Sequence, residues 1–490
     1  MGNDYLEGNY APVQRECTIT ELAVTGAIPT HLDGRYLRNG PNPIAEVDPE
    51  IYHWFTGDGM VHGVRLREGR AEWYRNRWIR TPAVAHALGE APPRRAPIRT
   101  GLELLGANTN VLSHAGHTLA LIEGGITNYE LTEALDTVGA CDFDGTLRGG
   151  YTAHPKRDPD TGELHAVSYS FGRGNHVQYS VIGVDGRARR TVDIEVTGSP
   201  MMHDFSLTEK HVVFYDLPVI FDPRQAATVS VPRALRAPVR LMLSALIGRV
   251  RVPDPIIAMV GRGMRGNATL PYRWNPHYPA RVGVMPRTGG AADVRWFDVE
   301  PCYLFHALNA YDESDTIVLD VVRHPRMFVT DLHGPNEGPT TLDRWIVDLA
   351  DGKIRETRLD DHPQEFPRID DRLAGRPHRY GYAMQTSGGG GNAGASVLKH
   401  DLRRGLTTAR RLGDHQSIGE AVFVPHSPQS PEDDGVLMAF VYDAGTDRSD
   451  LVLLDAGTLE TVAVIHLPVR VPFGFHGNWL PSAPEPVPPH

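Results

Sequence analysis

Cysteine is nearly absent from this 490-residue chain: Cys17, Cys141 and Cys302 are its three, odd in number and far apart. Such a set builds no disulfide framework, so a reducing, cytoplasmic compartment is expected. Cys302 lies near His306 but reads as a small buried thiol. A basic excess is missing too. With 49 Lys and Arg against 60 Asp and Glu, the formal charge is −11. That argues against general nucleic-acid binding, which needs a net basic face to displace counterions. No run reaches the roughly 18 apolar residues of a membrane span. The stretch MGNDYLEGNYAP has neither a basic n-region nor an apolar core, so no secretory signal is expected. Leu6 stands where a myristoylation site needs Ser or Thr.

Long helical patterns are scarce, and no crisp repeat of the kind that marks WD-type propellers is found. What fills the chain is short strand signal. HTLALIEGG (117–125), LHAVSYSF (164–171), VVFYDLPVIF (212–221), ARVGVMPR (280–287), TIVLDVVR (316–323), VLMAFVYD (436–443) and DLVLLDAGTLETVAVIHL (450–467) are β-branched or aromatic, near-alternating, and punctuated by Gly and Asp. Asp185-Gly186 and Asp351-Gly352 predict tight hairpin turns. Many hairpins without alternating helices imply an all-β fold: a sandwich array, a barrel or a propeller.

One segment departs from this pattern. PRALRAPVRLMLSALIGRVRV (232–252) carries five arginines and no acid, and Leu235, Val239, Met242, Leu246 and Val250 recur along one helical face. A basic amphipathic helix of this kind suits an anionic lipid surface; the alternative is a surface helix, kinked near Pro238, with solvated arginines. The glycine run SGGGGNAGAS (387–396) lacks the Gly-Lys-Ser/Thr ending of a phosphate loop and reads as a mobile connection. PSAPEPVPPH (481–490) reads as a disordered tail.

Twenty-three histidines are present, and no local ligand motif such as His-Glu-x-x-His selects among them. Context does. His154 in YTAHPKRDPDTGEL, His203 in PMMHDFSLTEKHVVF, His306 in CYLFHALNAYDE and His476 in VPFGFHGNWL each stand at the edge of an apolar or aromatic segment. Their wide separation assigns them to different strand units, as a site on the axis of a closed β-array requires.

These contexts resemble the carotenoid cleavage oxygenase family, the superfamily of retinal pigment epithelial membrane protein. RYLRNGPNP (35–43), HWFTGDGMVHGV (53–64), NTNVLSHAGHTLALIEGG (108–125), TAHPKRDPDTGE (152–163), HDFSLTEKHVVFYDLP (203–218), RVGVMPR (281–287), EFPRID (365–370) and GFHGNWLP (474–481) follow in family order over nearly the whole chain. The resemblance implies a single seven-bladed β-propeller over residues 1–480, with loops and a short helical segment capping an axial metal site. Residues 225–265 would then be a membrane-facing amphipathic insertion. It further implies that His154, His203, His306 and His476 hold one Fe(2+) per subunit and act as the catalytic set, with Glu123, Glu365 and Glu420 behind them. His53, His62, His114, His117 and His211 fall off the ligand positions and are expected to be structural. Asp58-Gly59 is expected in a tight turn, and Arg38 and Asn39 are expected to hold the N-terminal segment.

The activity implied is cleavage of a carbon–carbon double bond by dioxygen, giving two carbonyl products from a small polyene. Stilbene cleavers of the family carry a lysine before the LALxE glutamate. This chain has Ile122 there, which favours a carotenoid or apocarotenoid. Stilbene cleavage, retinoid isomerohydrolysis and simple polyene binding remain alternatives. Peripheral membrane contact through 232–252 accords with a lipid-dissolved substrate.

Overall fold

The computed structural model describes residues 2–93, 106–147, 149–252, 270–331, 333–334, 337–386, 394 and 396–482. Short strands join into seven antiparallel sheets of four to six strands, arranged as the blades of a propeller. Burial follows position within a blade. Strands next to the innermost one, such as Thr316–Arg323, are almost wholly buried, whereas outer strands such as Leu406–Arg411 are nearly all exposed. This explains the mixture of continuous apolar runs and alternating ones in the sequence. The two expected hairpin turns are present: Gly186 and Gly352 take positive φ between Ile182↔Ala188 and Asp348↔Lys353.

Both ends of the chain close the ring. Gly477–Pro481 pairs with Gly34–Pro41 as the inner strand of the first blade, and Ala23–Gly26 completes the outer edge of the seventh blade on Thr461–His466. Arg38 Nη2 donates to the carbonyl of Pro472, and Asn39 Nδ2 donates to those of Ala107 and Asn110. Those two side chains thus tie the N-terminal strand to its neighbours. Asp58-Gly59 forms no turn, contrary to expectation. Gly59 opens the strand Gly59–Arg67, where a Cβ would lie 2.7 Å from the Ala107 carbonyl oxygen. Residues 481 and 482 are ordered, contrary to expectation: Pro481 ends a strand and the Ser482 N–H donates to the Asp33 carbonyl. Residues 483–490 lie outside the described residues, as does most of the glycine run 387–396.

The basic segment is inserted into the fourth blade, above a two-stranded ribbon of Val219–Phe221 and Tyr272–Trp274. It forms a 3-10 turn at Arg233–Leu235 and one helix, Arg236–Leu246, and a separate helix, Pro223–Ser230, precedes it. Pro238 sits in the first turn, where its missing N–H has no helical acceptor, so the helix is not broken there. Gly248, at φ +73°, ends it. Leu243 and Ile247 are buried, and Val239, Met242 and Leu246 pack half-buried on the core. Leu235 and Val250 fall outside the helix and are exposed, as is Leu241 at 74 %. Residues 253–265 of the expected insertion lie outside the described residues.

Candidate metal centre and active site

Each of the seven blades sends one acidic or imidazole side chain to the same end of the axis. His154, His203 and His306 stand just before the inner strands of blades three, four and five, which are Lys156–Arg157, Ser206–Leu207 and Ala307–Glu313. His476 stands just before Gly477–Pro481 of blade one. Glu123 follows His117–Leu121 of blade two, Glu365 lies in Gln364–Arg368 of blade six, and Glu420 lies between Gln416–Ile418 and Val422–Pro425 of blade seven. The glycines beside His476 serve close approach. A Cβ on Gly474 would lie 2.5 Å from Arg38 Nη1, and one on Gly477 would lie 2.7 Å from the Leu37 carbonyl oxygen.

The four imidazoles converge. One ring nitrogen of each lies within 4.8 Å of the others, and all four residues are buried. Ring centroids are 4.3 Å apart for His154 and His203 and 4.7 Å apart for His306 and His476. Behind them, His203 Nδ1 is 2.7 Å from Glu123 Oε1, His306 Nδ1 is 2.5 Å from Glu365 Oε2, and His476 Nδ1 is 2.9 Å from Glu420 Oε1. A carboxylate at that distance fixes the proton on Nδ1 and leaves the Nε2 lone pair facing the axis.

This arrangement suits a cation. His306 Nε2 and His476 Nε2 face each other at 3.1 Å, and both carry lone pairs once Nδ1 holds the proton. His154 Nε2 is buried without a hydrogen-bond partner, a costly state for a polar atom unless something fills it. Burial holds His154 well below its ordinary pKa, and the rings of His203, His476 and His306 push the same way. His476 is lowered to about 4, by burial above all. Burial also lowers His306, but the Glu365 carboxylate outweighs it and the net direction is up. Glu420 is held at about 2: burial raises it, and Arg368 and His476 together more than offset that. The donor set therefore fits a borderline transition metal that prefers neutral imidazole.

Two different spaces meet at this cluster. One is an apolar chamber walled by Trp54, Phe55, Phe305, Phe366, Phe475 and Ile122. Ile122 is 4 % exposed and its N–H donates to Asn128 Oδ1. The other is a polar cavity of about 750 Å³ with Lys156, Arg157 and Arg368 in its wall, and it also reaches His154, His306 and His476.

The remaining histidines of the quoted motifs have local partners. His53 Nδ1 accepts the Phe55 N–H, while His62 bonds Tyr74, His114 bonds the Gly183 carbonyl, His117 bonds Glu130 and His211 bonds Asp312. One neighbour of the cluster escaped sequence reasoning. His324, in VVRHPRM, is buried against the chamber and bonds Glu365 Oε1 at 2.7 Å. Its signature in the sequence, a histidine at the edge of an apolar segment, is the one the selected four share, so nothing in the pattern singled it out.

The family model described as retinal pigment epithelial membrane protein matches residues 10–481. A carotenoid cleavage oxygenase of Mycobacterium tuberculosis strain H37Rv is 61% identical over 98% of each chain. The chain belongs to the carotenoid cleavage oxygenase family. It is an enzyme of that family, and the seven-bladed propeller is the family architecture. Among solved structures, the lignostilbene dioxygenase of Pseudomonas brassicacearum superposes with a TM-score of 0.80 at 25% identity over 98% of both chains. The cobalt-substituted apocarotenoid oxygenase of Synechocystis gives 0.79 at 26% identity, again over 98% of both.

Proposed function

We propose that this enzyme is a non-haem Fe(II)-dependent dioxygenase that cleaves one carbon–carbon double bond of a carotenoid or apocarotenoid to two carbonyl products. The observation that carries the reading is the four-imidazole cluster opening directly onto an apolar aromatic chamber. His154, His203, His306 and His476 are the ligands in this reading, and Glu123, Glu365 and Glu420 orient three of them. The neighbour in cobalt-substituted form supports a first-row transition metal in such a site. When bound, ferrous iron supplies the redox partner that lets dioxygen react with an electron-rich double bond. Both oxygen atoms enter the products, so one C=C and one O2 balance two C=O groups.

The chain's own residues do the rest. Carboxylates hold the Nδ1 protons of His203, His306 and His476 away from the axis. The apolar chamber keeps water from the reacting bond, and its ring faces favour transient positive charge along a conjugated chain. Ile122 lines the chamber with no charge to hold a phenolic oxygen, which favours a polyene over a hydroxylated stilbene. The lignostilbene dioxygenase neighbour keeps stilbene cleavage as the second reading.

The test is product analysis by mass spectrometry with the iron-loaded enzyme, a panel of apocarotenals and stilbenes, and labelled dioxygen. Two labelled carbonyl fragments from a polyene are expected. Cleavage of stilbenes alone overturns the substrate assignment, and unlabelled or uncleaved product points to isomerohydrolysis or binding. Among the described residues no helix is long and apolar enough to cross a membrane. Peripheral contact through 232–252 is supported by exposed Leu235, Leu241 and Val250 beside Arg233, Arg240 and Arg249. Leu241→Asp is expected to weaken flotation with anionic liposomes; unchanged flotation removes the membrane contact and leaves the chemistry intact.

A further inference from the structure

We infer that His324 is a positioning residue: it holds the Glu365 carboxylate in register with His306 and so fixes the orientation of one metal ligand. The inference rests on the proposed four-histidine metal site.

Glu365 is shared by two histidines. Its Oε2 accepts from His306 Nδ1 at 2.5 Å and from the Phe366 N–H at 2.6 Å. Its Oε1 lies 2.7 Å from His324 Nε2, the one hydrogen-bond partner of that oxygen among the described residues. Glu420 has no such second ring. Its Oε2 takes the Gly477 N–H instead, a backbone donor adjacent to the histidine it serves. The oxygen that faces away from the ligand histidine thus depends on a side chain in Glu365 and on the main chain in Glu420.

His324 is built to hold still. It follows Thr316–Arg323, and its N–H and carbonyl exchange hydrogen bonds of 2.8 and 2.9 Å with Tyr303. Tyr303 lies three residues before His306, so both rings hang from one pair of strands in blade five. Glu365 reaches them from blade six. The His324 ring is 3 % exposed and meets Phe305 edge-on at 5.1 Å, so its χ angles are fixed by packing. Without its donor, Glu365 Oε1 would be a buried carboxylate oxygen with nothing to accept from. The carboxylate would then turn to find a partner and slacken its hold on His306 Nδ1.

The test uses cobalt(II) alone as the probe, because its visible absorption reports ligand geometry without turnover. His324→Leu removes the donor, and His324→Gln keeps an N–H near the place of Nε2. We expect His324→Leu to lose roughly ten- to hundredfold in cobalt affinity with an altered absorption band, and His324→Gln to recover most of both. If the leucine variant fails to fold, His324→Asn, whose amide stops short of Glu365, takes its place with the same expected loss. Cobalt binding by the leucine or asparagine variant that matches wild type overturns the inference and makes His324 a core histidine only. A wild-type chain that binds no cobalt overturns the metal site, and this inference with it.

Discussion

Replacing Glu420 by glutamine keeps the shape of the side chain and removes its charge, at a residue tied to three others. Oε1 accepts from His476 Nδ1 at 2.9 Å, Oε2 accepts the Gly477 N–H at 2.7 Å, and Arg368 Nε lies 3.4 Å away. Glutamine has one acceptor where two are needed, so its NH2 must face either an imidazole N–H or a backbone N–H. The magnitude follows from the carboxylate itself. A native pKa of about 2 against about 4.5 in the unfolded chain corresponds to about 3 kcal/mol of stability at neutral pH. The group is depressed, so this stability is present above about pH 4.5 and lost as pH falls toward 2. Glu420→Gln should therefore destabilise the metal-free protein by about 3 kcal/mol at pH 7 in urea unfolding. That difference should shrink steadily below pH 4.5. Iron retained after dialysis should also fall roughly tenfold or more, because His476 loses the partner that fixes its tautomer. A variant with wild-type unfolding and wild-type iron content would refute the account of Glu420 as the orienting group.

Two further outcomes are expected. His306→Ala should abolish iron loading and activity together; stoichiometric iron in the purified variant, measured by mass spectrometry of the metal, would count against the ligand set. Acid should weaken the fold well before the carboxylates protonate. His165 and His400 are each lowered to about 4, by burial first, with Arg287 adding to the effect on His165. Unfolded histidine takes up a proton near pH 6.5, so stability falls as pH drops from 6.5 to 4, by a few kcal/mol for each residue. The urea midpoint at pH 5 should lie below that at pH 7, and His165→Gln should flatten the slope.

The all-β class was legible because strand signals such as TIVLDVVR and VLMAFVYD map onto Thr316–Arg323 and Gly435–Asp443 with little slippage. The blade number was not legible from pattern. Inner strands run from two residues at Lys156–Arg157 to five at Asn110–His114 and seven at Ala307–Glu313, so no repeat of fixed length survives, and seven blades came from family resemblance alone. Ring closure pairs Arg38 with Gly477, a contact across most of the chain that no window of periodicity samples. The helix at 232–252 was readable as a helix but not in its burial. The 3-10 turn and Gly248 shorten it, so Leu235 and Val250 leave the expected face. Convergence of the histidines is likewise a tertiary fact. Each motif announces a ring at a strand edge, but only the shared axis makes four of them neighbours and leaves His324 one step behind.

On that axis the proposed metal site would have a mechanical role. Glu123 of blade two bonds His203 of blade four, Glu365 of blade six bonds His306 of blade five, and Glu420 of blade seven bonds His476 of blade one. The last pair spans the seam where the two ends of the chain meet. His154 of blade three has no carboxylate behind it among the described residues and would be joined to the others through a shared ion. A bound metal would therefore link blades one, three, four and five, and should stabilise the fold by RT ln(1 + [L]/Kd), about 2.7 kcal/mol when free metal is a hundredfold above its dissociation constant. Chelation should lower the thermal unfolding temperature of the wild-type chain, and readdition of ferrous iron should restore it. His154→Ala should unfold at the chelated wild-type temperature or slightly above it, with no response to iron, because it removes a proposed ligand and no carboxylate bridge. Equal unfolding temperatures with and without metal in the wild type would mean that the propeller closes without help from the ion, leaving the carboxylate bridges to hold the seam.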